Sequence, residues 1–141
     1  KENETLPSTY RDNSGKTVTL KPSKFSDLQA GLNSGRILLG KVVCHVYCSD
    51  APSFTFCMID EEENCFAVNV YNMVQGKGVI IGDSVCIFQP FVQHFDFDYK
   101  DKVFKFSIIR VNSPLQLEVN GKKLGTDVQA APRLSVTVKS D

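Results

Sequence analysis

The chain has 141 residues, with 16 Lys and Arg against 16 Asp and Glu and a formal net charge of zero, which argues against a dedicated nucleic-acid binder. That length makes about one domain with a modest core, and no apolar run approaches the roughly 20 residues of a membrane-crossing helix. The balance is uneven: residues 1–36 carry six basic and four acidic side chains, residues 37–99 two and eight, and residues 100–141 eight and four, so local basic and acidic surfaces are expected.

Lys1-Glu2-Asn3-Glu4-Thr5 lacks the apolar core of a signal peptide, and an intracellular chain is expected. The glycosylation acceptor pattern Asn3-Glu4-Thr5 then has no use. Residues 1–16 are polar, with a loop signal at Asn13-Ser14-Gly15, and read as a flexible N-terminal segment. Thr17–Leu20 reads as a short strand. Pro22-Ser23 opens Lys24–Leu32, where Phe25, Leu28 and Leu32 recur at helical spacing and Gly31 or Gly35 provides a stop, which predicts one short helix.

Arg36–Cys48 is a long apolar strand interrupted by Gly40. A glycine there suits a bulge or sharp coil that lets a first barrel strand pair on two sides. Ser49–Ser53 is a Pro-containing loop. Phe54–Asp60 and Cys65–Tyr71 form a hairpin around the charged turn Glu61-Glu62-Glu63-Asn64. Alternation puts Phe54, Phe56 and Met58, with Phe66, Val68 and Val70, on the core face. Thr55, Cys57 and Ile59 fall on the outer face, with Ala67, Asn69 and Tyr71. Asn72–Val79 has room for one turn of helix at Asn72–Lys77. Gly82-Asp83 is a turn signal that feeds Ser84–Phe88, a β-branched and aromatic strand. Pro90 interrupts it, and Phe91–Phe97 is its candidate continuation. After a polar turn at Asp98–Lys102, Val103–Val111 is the fifth strand, with Phe104, Phe106 and Ile108 expected on the core face. Leu115, Leu117 and Val119 alternate before the turn pair Asn120-Gly121. Leu134, Val136 and Val138 alternate again, as strand or tail.

The order of elements predicts an all-β chain: a five-stranded OB-fold Greek-key barrel with a short N-terminal helix and extra C-terminal strands. A β-sandwich would want about seven short strands at regular spacing. The expected domains are a flexible segment at 1–16, the barrel at 17–125 and a tail at 126–141.

Little in the sequence points to catalysis. His45 lies inside the first strand. His94, Asp96 and Asp98 share one strand face, where the two carboxylates would raise the imidazole pKa. A solvated face opposite Phe91, Phe95 and Phe97 explains that trio more simply, and G-x-S-x-G is absent. Cys44-His45-x-x-Cys48 holds metal-ligand types, but along a strand His45 points away from both cysteines, so no metal and no cofactor are expected. The five cysteines, Cys44, Cys48, Cys57, Cys65 and Cys86, are odd in number and form no C-x-x-C; they read as free buried thiols of a reducing compartment. Gly15-Lys16-Thr17 ends like a phosphate loop but has Tyr10 where its first glycine belongs. Gly76-x-Gly78 leads into a strand and not a helix.

OB barrels often bind through the face of strands two and three, so a partner or nucleic-acid surface is the remaining option. Tyr71 is the aromatic expected on that face, close to the repelling turn Glu61–Glu63. Lys100, Lys102, Lys105 and Arg110 form the best basic cluster, with Lys105 opposite in face to Phe104 and Phe106. Tyr71 with these four is the candidate site for single-stranded nucleic acid, rRNA or an acidic partner.

Phe66-Ala67-Val68-Asn69-Val70-Tyr71-Asn72-Met73-Val74-Gln75, Gly78–Val85, Ser107–Val111, Ser113-Pro114-Leu115 and Val119-Asn120-Gly121-Lys122 closely resemble one family, the C-terminal OB domain of tetratricopeptide repeat protein 5, the stress-responsive activator Strap. The resemblance spans about Leu39 to Gly125. It implies an OB fold and a non-enzymatic adaptor whose repeat array, absent here, binds partners. It also implies protein partners in a transcriptional co-activator complex of the stress response and at the ribosome, where tubulin mRNA decay is triggered, hence nucleus and cytoplasm. It supplies no catalytic residues.

Overall fold

The long strand from Arg36 to Val46 is shared between two halves of a closed sheet. In the computed structural model, which describes residues 7–11, 14–46, 53–74 and 78–124, the strands in chain order are β1 (Thr9–Arg11), β2 (Thr17–Thr19), β3 (Lys21–Ser23), β4 (Gly31–Leu32), β5 (Arg36–Val46), β6 (Ser53–Ile59), β7 (Cys65–Tyr71), β8 (Ser84–Phe88), β9 (Phe91–Tyr99), β10 (Lys102–Val111), β11 (Leu117–Val119) and β12 (Lys122–Lys123). β5, β6, β7, β10 and β9 lie side by side, with β7 and β10 parallel and the other neighbours antiparallel. The free edge of β5 pairs with β8. Only Gln89-Pro90 separates β8 from β9, so the two ends of the sheet are one bent strand and the sheet closes. The result is the five-stranded OB barrel, with β8–β9 as its fourth strand.

Two local features make β5 serve both sides. It pairs with β8 through Ile37–Lys41 and with β6 through Lys41–Val46. Gly40 sits at the changeover, and a Cβ there would lie 2.7 Å from the Ile59 carbonyl oxygen, so the close approach of β6 requires glycine. The bulge itself comes later, where the register slips between Val42 and Cys44. The core is filled by Leu38, Val42, Phe56, Met58, Phe66, Val68, Val70, Val85, Ile87, Ile109, Val111 and Leu117. Alternation on β6 and β7 therefore places the core face correctly, with Phe54 partly buried at its margin.

Several expectations are corrected. The helix over Lys24–Leu32 is a single 3-10 turn, Phe25–Asp27. Buried Asn33 explains why it stops. Its side chain accepts from Gln29 N–H and donates to the carbonyls of Gln29, Gly31 and Pro90, so these backbone groups have partners outside a helix. The turn is anchored by the buried Asp60 carboxylate, which accepts from the N–H groups of Phe25 (2.7 Å), Glu62 and Asn64 (3.0 Å each). Phe25 then stacks on Phe66 at 4.5 Å. Thr9–Arg11, inside the segment expected to be flexible, is a strand paired with β2, and Tyr10 stacks on Phe88 at 4.6 Å. Of the described cysteines only Cys86 is buried; Cys44 and Cys65 are exposed, Cys57 is half-buried, and none of the four is in a disulfide. Cys48, part of the turn at Asn72–Lys77 and the pattern at Leu134–Val138 lie outside the described residues.

The C-terminal strands extend the sheet beyond β8, joined by Asn120-Gly121. Both turn residues have positive φ, 52° and 83°, as a two-residue hairpin turn of this sequence demands. Asn120 also bonds Ser84 N–H and the Asp83 carboxylate, each at 2.9 Å. The Gly82-Asp83-Ser84 turn and the Val119-Asn120-Gly121-Lys122 turn are thus one hydrogen-bonded unit.

Candidate ligand-binding surface

Strands β9 and β10 are longer than the barrel needs. Their pairing runs without a break from Arg110 opposite Phe91 to Lys102 opposite Tyr99. Core contact is confined to one end, where Val92, Ile109 and Val111 are buried. Since alternate residues share a face, Ile109 and Val111 set the phase of the whole strand. The inward phase of β10 holds Val103, Lys105 and Ser107; the outward phase holds Lys102, Phe104, Phe106, Ile108 and Arg110. Phe104 and Phe106, expected in the core, therefore stand on the outer face, 41% and 49% exposed.

The two-residue turn at Lys100-Asp101 has positive φ at both positions, 53° and 65°, the pattern of a type I′ hairpin. This turn pairs Phe97 with Phe104 and Phe95 with Phe106. The rings stack at 5.4 Å and 5.1 Å. Phe97 also meets Phe106 edge-on at 6.2 Å, and Tyr99 lies 6.5 Å from Phe104. With Phe91 at the barrel end, six aromatic side chains make one exposed outer face of the hairpin. Its charged members are Lys102 and Arg110; it holds no carboxylate. The opposite face carries His94, Asp96 and Asp98 against Val103, Lys105 and Ser107, and His94 Nδ1 hydrogen-bonds Ser107 Oγ.

The five residues singled out in the sequence are divided among three places. Tyr71 and Arg110 come together, the Arg110 guanidinium carbon lying 4.5 Å from the Tyr71 ring centroid, a cation–π contact on the outer face. Lys100 and Lys102 flank the hairpin tip, Lys100 Nζ lying 5.3 Å from the centre of the Tyr99 ring. Lys105 stands on the polar face opposite Asp96. The acidic turn does not crowd Tyr71. It joins β6 to β7 at the Cys65 end, whereas Tyr71 pairs with Ser53 at the other. Glu62 in that turn is held by Lys24 at 3.2 Å and Ser26 at 2.9 Å. The aromatic partners Phe95, Phe97, Tyr99, Phe104 and Phe106 were missed as site residues. The signal for them was the core phase set by Ile109 and Val111, combined with a two-residue turn.

An acid–base perturbation lies elsewhere, at Asp60. Burial pushes the Asp60 carboxyl up, but the N–H donors of Phe25, Asn64 and Glu62 outweigh it and leave the group below its ordinary value. Among the described residues, no group of three or more His, Cys, Asp or Glu side chains is arranged to hold a metal ion, and no helix is long and apolar enough to cross a membrane.

Residues 19–133 match the family model described as the tetratricopeptide repeat protein 5 OB fold domain. The chain is 46% identical over 122 residues to tetratricopeptide repeat protein 5 of Bos taurus, and 46% identical over 121 residues to that of Homo sapiens, in both cases across 86% of this chain. It spans only 28% of the length of each relative. An OB domain from Methanosarcina mazei, solved by solution NMR, superposes with a TM-score of 0.52 over 74% of this chain and 87% of that one at 15% identity, a likeness of fold alone.

Proposed function

Because the chain belongs to the tetratricopeptide repeat protein 5 OB fold domain family, we propose that it works as a non-enzymatic binding and scaffolding module of a repeat-containing adaptor, and that the outer face of β9–β10 is its docking surface. One observation carries the reading: five exposed aromatic side chains, Phe95, Phe97, Tyr99, Phe104 and Phe106, form a chain of ring contacts, with exposed Phe91 farther along the same face, whose only charges are Lys102 and Arg110. Contiguous exposed apolar surface marks interaction sites, and aromatic residues with arginine are the side chains that dominate protein interfaces. The adaptor roles that fit this module are stress-responsive transcriptional co-activation and ribosome-associated tubulin mRNA autoregulation, in nucleus and cytoplasm. A photocrosslinker placed at Tyr99 of the intact parent protein tests the surface in cells. The expected products are protein adducts that disappear with Phe97→Ser and Phe106→Ser. Adducts that arise equally from the Glu61–Glu63 end of the barrel would overturn the assignment.

A second reading, single-stranded nucleic acid or rRNA, is favoured by the same rings standing beside cations and away from carboxylates. Base stacking on such platforms is sequence-tolerant and salt-sensitive. Fluorescence titration with labelled single strands should then show affinity that falls with salt and with Lys102→Glu or Arg110→Glu. Absence of binding to any strand at low salt would sink this reading.

A further inference from the structure

The outer face of β5, β6 and β7 carries three thiols that the proposed function leaves unused. Cys44 on β5 stands directly opposite Cys57 on β6. Cys65 on β7 is opposite Ile59, and Cys57 is opposite Ala67, so Cys65 is only the diagonal neighbour of Cys57. Cys44 and Cys65 are exposed and Cys57 is half-buried between them.

The bulge in β5 creates this arrangement. Val42 opposes Met58, both facing the core, and Val43 is then the extra residue that shifts the register. Without it, Val43 would oppose Cys57 and Cys44 would turn toward the core. A bulge re-aims side chains, and here it brings a second sulfur to the outer face beside Cys57.

We propose that Cys44 and Cys57 form an oxidisable cross-strand pair that peroxide converts to a disulfide within the folded barrel. Distance selects the pair. Directly opposed residues of antiparallel strands have Cα atoms about 4.5–5.5 Å apart, inside the roughly 4.4–6.8 Å that a disulfide accepts. Diagonal neighbours such as Cys57 and Cys65 lie about 7–8 Å apart, outside it. In the first step the exposed Cys44 sulfur attacks one peroxide oxygen. The O–O bond breaks, the departing hydroxide takes up the thiol proton as water, and Cys44 becomes a sulfenic acid. In the second step the Cys57 sulfur attacks the Cys44 sulfur, the S–S bond forms, and the sulfenic hydroxyl leaves with the Cys57 proton as a second water. Two thiols give up two electrons and one peroxide accepts them. Cys57 is the slower partner at neutral pH, because burial and the neighbouring Cys44 and Cys65 thiols push its thiol up to about 11. Ring closure should therefore accelerate as pH rises. An accessible bond of this kind is the type that thiols reduce again.

The test treats the whole chain with hydrogen peroxide under native conditions, followed by intact mass and a non-reducing peptide map. The expected result is a loss of two hydrogens and a Cys44–Cys57 linked peptide, reversed by glutathione. Cys44→Ser and Cys57→Ser should abolish the linkage, while Cys65→Ser should retain it with an unchanged fold by circular dichroism. A linkage through Cys48 or Cys65, over-oxidation of Cys44 without a bridge, or a bridge that appears only in denaturant would each overturn the proposal.

Discussion

Replacing Phe104 with alanine separates an outward aromatic face from a core strand by its energetic cost. Phe56 is 0% exposed and Phe104 is 41% exposed. Complete burial of such a side chain is worth about 1.5–3 kcal/mol. Phe104 retains a little over half of that, about 0.9–1.8 kcal/mol, and its stacking on Phe97 adds about 0.5–1.5 kcal/mol. Phe104→Ala should therefore cost about 2 kcal/mol. Phe56→Ala, which also leaves a cavity, should cost about 3–5 kcal/mol. Urea unfolding with an unchanged slope reads both values. A double-mutant cycle with Phe97→Ala should return a coupling of about 0.5–1.5 kcal/mol. If Phe104→Ala costs as much as Phe56→Ala, β10 presents its other face to the core, and the docking surface proposed for this module does not exist.

Gly40→Ala should lower stability by about 1–3 kcal/mol, read by thermal unfolding. The new methyl meets the Met58 methyl, which can move, and the Ile59 carbonyl oxygen at 2.7 Å, which cannot. Asp60→Asn should cost about 2 kcal/mol at neutral pH, since three N–H groups lose a charged acceptor. Because the folded carboxyl lies below its ordinary value, the stability it supplies is present above about pH 4 and fades as pH falls through the lower folded value. The urea midpoint of the parent chain should accordingly drop in that acid range, and that of Asp60→Asn should drop less. Asn33→Ala should cost about 2–3 kcal/mol in the same assay, because its amide satisfies four backbone partners, one of them 57 residues away.

The barrel was legible in the sequence because its strands state their own periodicity. Phe54, Phe56 and Met58 against Phe66, Val68 and Val70 leave one sensible face for the core, and the turn Asn120-Gly121 carries its geometry in its residue types. The short helix was not legible as a single turn, since Phe25, Leu28 and Leu32 do have helical spacing. What ends it is Asn33, whose buried amide binds Gln29, Gly31 and Pro90. Only the bond to Pro90 joins residues far apart in the chain, and it is this anchor, which buries Asn33, that a local pattern cannot show.

The face of β10 was misread for a different reason, and that reason bears on function. Alternation tells which residues share a face but not which face is inside. On β10 the outward phase, Phe104, Phe106 and Ile108, is the more apolar of the two, while the inward phase mixes Val103, Lys105 and Ser107 with Ile109 and Val111. In a strand covered along its whole length the larger apolar set would be buried. Here only the Ile109–Val111 end meets the barrel, so a short buried segment sets the phase and the longer free segment follows it. The aromatic rings are consequently placed where the core cannot use them, stacked in cross-strand pairs on a two-residue hairpin with Lys102 and Arg110 beside them. A chain selected for stability alone would gain less from these aromatic side chains there than from burying them in the core, and exposed apolar surface of this kind marks interaction sites. Their misfit with the core reading is what supports the docking surface proposed for this module.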